Sequence, residues 1–200
     1  NPTGNFMDDA DFVRIAEMGI PFVVDEAYVE YAGLRKSQVK LIQKYKNVLV
    51  TRTLSKAYGL AGMRFGYALG DKAVIMQIAA TLIPWNVSTI AMWAALAALE
   101  DTAALNERGE FNNQEIQYIE REVGKIPGIT VYPSSGNYIL FDSAVAGKSG
   151  KGMVDHAEKK GLILRGQETM YSSDGWFRVT IGAHDENELF VQSVREYFSR

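Results

Sequence analysis

Apolar residues recur along this chain at two spacings, one helical and one of compact runs. After an acidic start at Asp8 and Asp9, Phe12, Val13, Ile15 and Ala16 fall at helical intervals and Gly19 supplies a stop, which predicts a short amphipathic helix over 8–18. The run Ile20 to Val24, ended by Asp25-Glu26, predicts a buried strand that delivers two carboxylates at its C-terminal end. Asn47 to Thr51 is a second such run, and the helical stretch Ser37 to Lys46 lies between them. Strand, helix, strand implies a right-handed crossover in a mainly parallel sheet. Phe65 to Leu69 is a third strand candidate.

From Asp71 to about Val123 helical periodicity dominates, through an alanine-rich stretch at 90–99 and a long amphipathic segment that starts near Thr102. After Gly128 the pattern becomes short strands at Ile129 to Val131, Asn137 to Phe141, Leu162 to Leu164 and Trp176 to Ile181, with helices near 150–160 and 185–198. The fold class is therefore α/β with a mainly parallel sheet, followed by a smaller α+β unit. The boundary is expected near residue 105, dividing the chain into 1–105 and 106–200.

Composition narrows the chemistry. With 200 residues and 47% apolar content the chain can bury a real core. Its 21 Lys and Arg against 24 Asp and Glu give a net charge of −3 without long runs of either sign, so nucleic acid is not an expected partner. No apolar run reaches the ~18 residues that span a bilayer, and Asn1-Pro2-Thr3-Gly4 has no signal-peptide character, so a cytoplasmic location without membrane contact is expected. The start without Met, inside what looks like a turn, points to part of a longer polypeptide. Cysteine is absent, and His156 and His184 are the sole imidazoles, so no metal site is expected. Both histidines read as surface or cap residues. Gly147-Lys148-Ser149 lacks the earlier glycine of a phosphate-binding loop, Asp142 standing there, and 147–152 reads as a mobile surface loop.

Three segments carry candidate chemistry: Asp25-Glu26-Ala27-Tyr28, Thr51-Arg52-Thr53-Leu54-Ser55-Lys56, and Gly59-Leu60-Ala61-Gly62-Met63-Arg64. All fall at the expected carboxyl ends of strands, where open parallel sheets gather ligands. A partly desolvated Lys56 could attack a carbonyl to form a Schiff base. Pyridoxal phosphate is the carbonyl partner whose other needs these residues match. Asp25 could keep its ring nitrogen protonated, Thr53, Ser55 and Arg64 could bind its phosphate, and Tyr28 and Asn1 could bond the ring oxygen. Each has a plainer role when taken singly: Lys56 a solvated surface amine, Asp25 a helix cap, Arg64 a salt-bridge partner, Tyr28 a core aromatic.

These motifs, with Thr53 to Tyr67 and Phe177-Arg178-Val179-Thr180-Ile181-Gly182, closely resemble the fold-type I pyridoxal-phosphate-dependent aminotransferases, specifically the histidinol-phosphate aminotransferase group. The resemblance covers essentially the whole chain. It implies that 1–105 is the C-terminal part of a cofactor-binding large domain and 106–200 a small C-terminal domain. It also implies that Lys56 is the Schiff-base and catalytic lysine, that Asp25 pairs with the pyridine nitrogen, and that Asn1 and Tyr28 contact the ring oxygen. Ser55 and Arg64 would bind the phosphate with Thr53 as a further ligand, Ala27 would pack on a ring face, and Arg178 would hold the substrate α-carboxylate. Arg165 is the candidate for a second anion contact, with a structural surface role as its alternative. The implied activity is ping-pong transamination between L-histidinol phosphate and 2-oxoglutarate by a homodimer.

Family members are longer, and the N-terminal half that this chain lacks would hold the loop that cradles the phosphate, the aromatic ring stacked on the cofactor and the tyrosine lent by the partner subunit. Aromatic amino acid transamination is the rival activity, followed by decarboxylation on the same fold. The non-enzyme reading is a catalytically incomplete fragment.

Overall fold

A computed structural model describes residues 1–167, 171 and 173–199. The chain forms two compact units, Phe6–Gly109 on the one hand and Asn1–Asn5 with Glu110–Arg200 on the other. The helix Thr102–Val123 runs unbroken through residue 105 and through the division at Gly109.

In the unit Phe6–Gly109 the order is α1 (Asp9–Glu17), β1 (Phe22–Asp25), α2 (Val29–Ala32), β2 (Val48–Thr53), β3 (Gly66–Gly70), α3 (Lys72–Thr81), α4 (Thr89–Glu100) and the start of α5 (Thr102–Val123). The sheet order is β1-β2-β3. β1 and β2 are parallel, with Phe22 opposite Val48 and Asp25 opposite Thr51. β3 returns antiparallel to β2, pairing Gly66 with Thr53. Ala16, Val24, Leu41, Val48 and Val50 form the core beside the sheet.

Two expectations are corrected here. β1 is not buried on both faces: it lies at a sheet edge, and Val23 is 59% exposed while Val24 is buried. The helix expected over 37–46 is instead a 3₁₀ turn at Val39–Gln43. Its donors are drawn off locally: the Gln38 amide donates to Glu26 Oε1 at 2.5 Å, and the Val39 amide to Ser37 Oγ at 3.2 Å. Side chains that take up backbone donors compete with helix formation in this way.

The other unit contains most of α5, then β4 (Thr130–Tyr132), β5 (Tyr138–Asp142), α6 (Gly150–Glu158), β6 (Arg165–Gly166), β7 (Trp176–Thr180) and α7 (His184–Phe198). The antiparallel sheet runs β4-β5-β7-β6. Phe141, Phe177, Phe190, Ile119, Ile139 and Met153 fill its core, with the Phe141 and Phe177 rings stacked 5.1 Å apart. The N-terminal segment belongs here because the Ser135 amide donates to Gly4 O at 3.0 Å. Gly4 sits at φ +75°, and a Cβ there would strike Ser134, so the turn requires glycine.

The strand expected at 162–164 is not formed. Gly161, at φ +83°, ends α6 with its amide on Glu158 O, and the Leu162 amide reaches back to Ala157 O. That helix-ending motif consumes the segment's first donors, and pairing begins only at Arg165. The stretch 147–152 is not simply a loop either: Ser149 Oγ accepts from the Gly152 amide and starts α6 at a buried Gly150.

Candidate active site

Successive side chains on a strand point to opposite faces, and at the end of β1 this separates two neighbouring carboxylates. Asp25 is exposed, and its Oδ1 accepts from the Ala27 amide at 3.0 Å. Glu26 is buried and accepts from Ser37 Oγ at 2.9 Å and Arg52 Nε at 3.0 Å. Burial disfavours the Arg52 charge, but hydrogen bonds to Tyr67 and Glu26 more than offset it and hold the guanidinium protonated beyond its ordinary range. Glu26 and Arg52 are thus a structural pair that joins the ends of β1 and β2, while Asp25 stays open.

The chain beyond β2 folds back on itself around Leu54, which is fully buried. The Leu54 amide donates to Phe65 O at 3.1 Å, and Leu54 O accepts from the Leu60 amide at 2.9 Å. This pin presents Ser55 and Lys56, both half-buried, just past the strand end. Lys56 Nζ lies 5.4 Å from the centroid of the half-buried Tyr28 ring. Thr53 Oγ1 accepts from the Ser55 amide at 3.1 Å and donates to Phe65 O at 3.4 Å. Arg64 is exposed at φ +54° and donates to Ala61 O at 2.8 Å. The geometry brings Lys56 to Tyr28, Thr53 to Ser55 and Asp25 to Ala27, while Arg64 contacts its own turn.

The other three sequence candidates belong to the second unit. Arg178 on β7 donates from Nη1 to Asn1 Oδ1 at 2.6 Å. Its Cα partner on β6 is Arg165, so two guanidinium-bearing residues stand directly opposite each other. Like charges so placed repel, an arrangement that an anion between them would relieve. Asn112 and Glu115 on α5 escaped the sequence reading. Asn112 Nδ2 donates to Gly136 O at 2.9 Å, and Glu115 accepts from Asn187 Nδ2 at 2.8 Å and contacts His184 Nδ1 at 2.9 Å. Their signal was faint, two polar residues on the inner face of an amphipathic helix.

A unit with a lysine past the ends of parallel strands and a second, antiparallel unit with paired arginines are the parts of a pyridoxal-phosphate-dependent aminotransferase, and solved structures of that fold match the chain. Histidinol-phosphate aminotransferase from Clostridium acetobutylicum superposes with TM-score 0.93 at 24% identity, over 100% of this chain and 61% of that one. The Sinorhizobium meliloti protein of the same name, solved in complex with pyridoxal-5'-phosphate, gives TM-score 0.89 at 27% identity over 100% and 55%. The chain belongs to the aminotransferase class I and II family, whose model matches residues 1–194. It is 34% identical to histidinol-phosphate aminotransferase of Caldanaerobacter subterraneus over 100% of this chain and 55% of that protein. It is 36% identical to histidinol-phosphate aminotransferase 1 of Bacillus cereus over 98% and 53%. The chain spans about half the length of these curated relatives.

Proposed function

We propose that this chain carries the lysine and anion-binding residues of a pyridoxal-phosphate-dependent aminotransferase that moves an amino group from L-histidinol phosphate to 2-oxoglutarate, as a homodimer in the cytoplasm. The observation that carries the reading is the placement of Lys56 Nζ 5.4 Å from the Tyr28 ring, beyond the parallel pair β1 and β2. The donor set suits the cofactor: an amine for its carbonyl, a carboxylate for its ring nitrogen, a phenol for its ring oxygen, hydroxyls and a guanidinium for its phosphate.

When bound, the cofactor supplies an electron-withdrawing ring that takes up the charge left as a bond to the substrate carbon breaks. Lys56 Nζ would hold the cofactor by its carbonyl carbon, and its amine is the group placed to carry a proton at the reacting carbon. Asp25 keeps the ring nitrogen protonated, and Tyr28 and Asn1 bond the ring oxygen. Ser55 and Arg64, with Thr53, hold the phosphate, and Ala27 is small enough to lie against a ring face. Arg178 takes the α-carboxylate of glutamate. The pairing of Arg165 with Arg178 favours a phosphorylated donor, because a phosphate dianion suits two guanidinium groups and offsets their repulsion.

Borohydride reduction of the holoprotein followed by peptide mapping is expected to label Lys56, and Lys56→Ala is expected to abolish the label. Arg165→Ala is expected to raise KM for histidinol phosphate about tenfold while leaving aromatic donors unchanged, the worth of one charge-assisted contact. Label on another lysine would overturn the assignment. Faster turnover of aromatic amino acids than of histidinol phosphate would replace the donor.

A further inference from the structure

The guanidinium of Arg178 lies 4.9 Å from the centroid of the Tyr138 ring. Tyr138 opens β5 and is 3% exposed. Its ladder partner is Thr180, and Leu140 faces Arg178, so Tyr138 and Arg178 are diagonal neighbours on one face of the sheet. The ring is fixed from the other side. A Cβ at Gly136 would lie 2.9 Å from Tyr138 Cε1 and 3.3 Å from Cζ, so the ring folds back over a backbone that only glycine leaves bare. Gly136 in turn is pinned to α5, its carbonyl accepting from Asn112 Nδ2 at 2.9 Å and its amide donating to Ser134 Oγ at 3.1 Å.

Arg178 needs such a support. Its Nη1 is engaged by Asn1, but its Nε is buried with no hydrogen-bond partner among the described residues, and Arg165 stands opposite it with the same charge. The negative face of an aromatic ring attracts a guanidinium and restricts its orientations. We propose that Tyr138, held by Gly136, is a positioning residue for anion capture: its ring face orients the Arg178 guanidinium toward the substrate carboxylate. The inference rests on the reading of Arg178 as the carboxylate-binding residue.

The test reads binding of succinate, an unreactive dicarboxylate, to the holoenzyme by calorimetry, with KM and kcat for 2-oxoglutarate alongside. Arg178→Ala is expected to abolish succinate binding. Tyr138→Leu and Gly136→Ala are each expected to weaken it roughly 3- to 30-fold and to raise KM with little change in kcat, the range of a desolvated cation–π contact. Tyr138→Phe, which keeps the ring face, is expected to restore affinity. Trifluorophenylalanine at position 138 keeps the ring's shape while draining its negative face, so it separates orientation from packing even if the leucine variant fails to fold, and it is expected to weaken binding as leucine does. Affinity unchanged by the fluorinated ring and by Gly136→Ala, with Arg178→Ala still inactive in binding, would overturn the role of Tyr138 alone. Unchanged affinity in Arg178→Ala would overturn the reading of Arg178 and with it this inference.

Discussion

Glu30 follows the lysine's aromatic neighbour by two residues, and both its carboxylate oxygens are buried with no partner among the described residues beyond its own backbone amide. Burial pushes its carboxyl above the ordinary range, against weaker lowering by its own amide and the Arg52 charge. A carboxylate with a raised folded-state pKa stabilises the fold when protonated, below its unfolded value, and that contribution is lost as pH rises through the folded value. Glu30→Gln, neutral throughout, is therefore expected to gain about 1 kcal/mol over the parent at pH 7, with the gain closing toward pH 4. Urea denaturation at the two pH values measures it, and equal stability at pH 7 would mean the carboxylate is solvated. At this scale the sequence was readable for place: Lys56 and Asp25 follow apolar runs, and the structure sets both at or just past strand ends. It was unreadable where role depends on facing. Glu26 and Asp25 look alike in sequence, yet strand alternation makes one a buried partner of Arg52 and leaves the other open.

Elements were legible where periodicity was long or apolar runs had company on both sides, as in α5 and β2, and shifted by a residue or two elsewhere. The failures share a cause: the segments 37–46 and 162–164 have the composition of a helix and a strand, but their first amides are claimed by Glu26, Ser37 and the end of α6. Such claims on single amides leave no trace in the apolar pattern. In the antiparallel sheet, by contrast, the apolar segments located β5 and β7, and Phe141 lies in the core there, stacked on Phe177 and tilted against Phe190 at 5.6 Å. Phe141 is fully buried, between β7 and α7. Phe141→Ala is expected to cost about 3–5 kcal/mol, a lost transfer term plus a cavity. Chemical denaturation of the variant measures it, and a loss below about 1 kcal/mol would show that the neighbouring rings collapse into the space.

At the scale of the whole molecule, α4 poses a question that its own unit does not answer. Between Thr89 and Glu100 every residue is apolar, and a helix that is apolar all round expects cover on all sides. Only Ala91 and Ala95 are buried, whereas Ile90, Met92, Trp93, Leu96 and Leu99 are exposed, as are Ile83 and Trp85 just before the helix, Trp85 to 96%. Large apolar residues exposed in such number mark an interface, and large aromatic residues are the side chains that anchor one. The homodimer proposed above places that surface against a second copy. Trp93, 68% exposed on the free chain, is the residue to change. Trp93→Glu buries an unpaired charge at the contact and is expected to weaken association by about 100-fold or more, so that sedimentation equilibrium at micromolar concentration reads one chain mass instead of two. A variant that stays paired but unfolds earlier would assign α4's face to packing within one polypeptide, because a charge buried inside a fold lowers stability without moving mass.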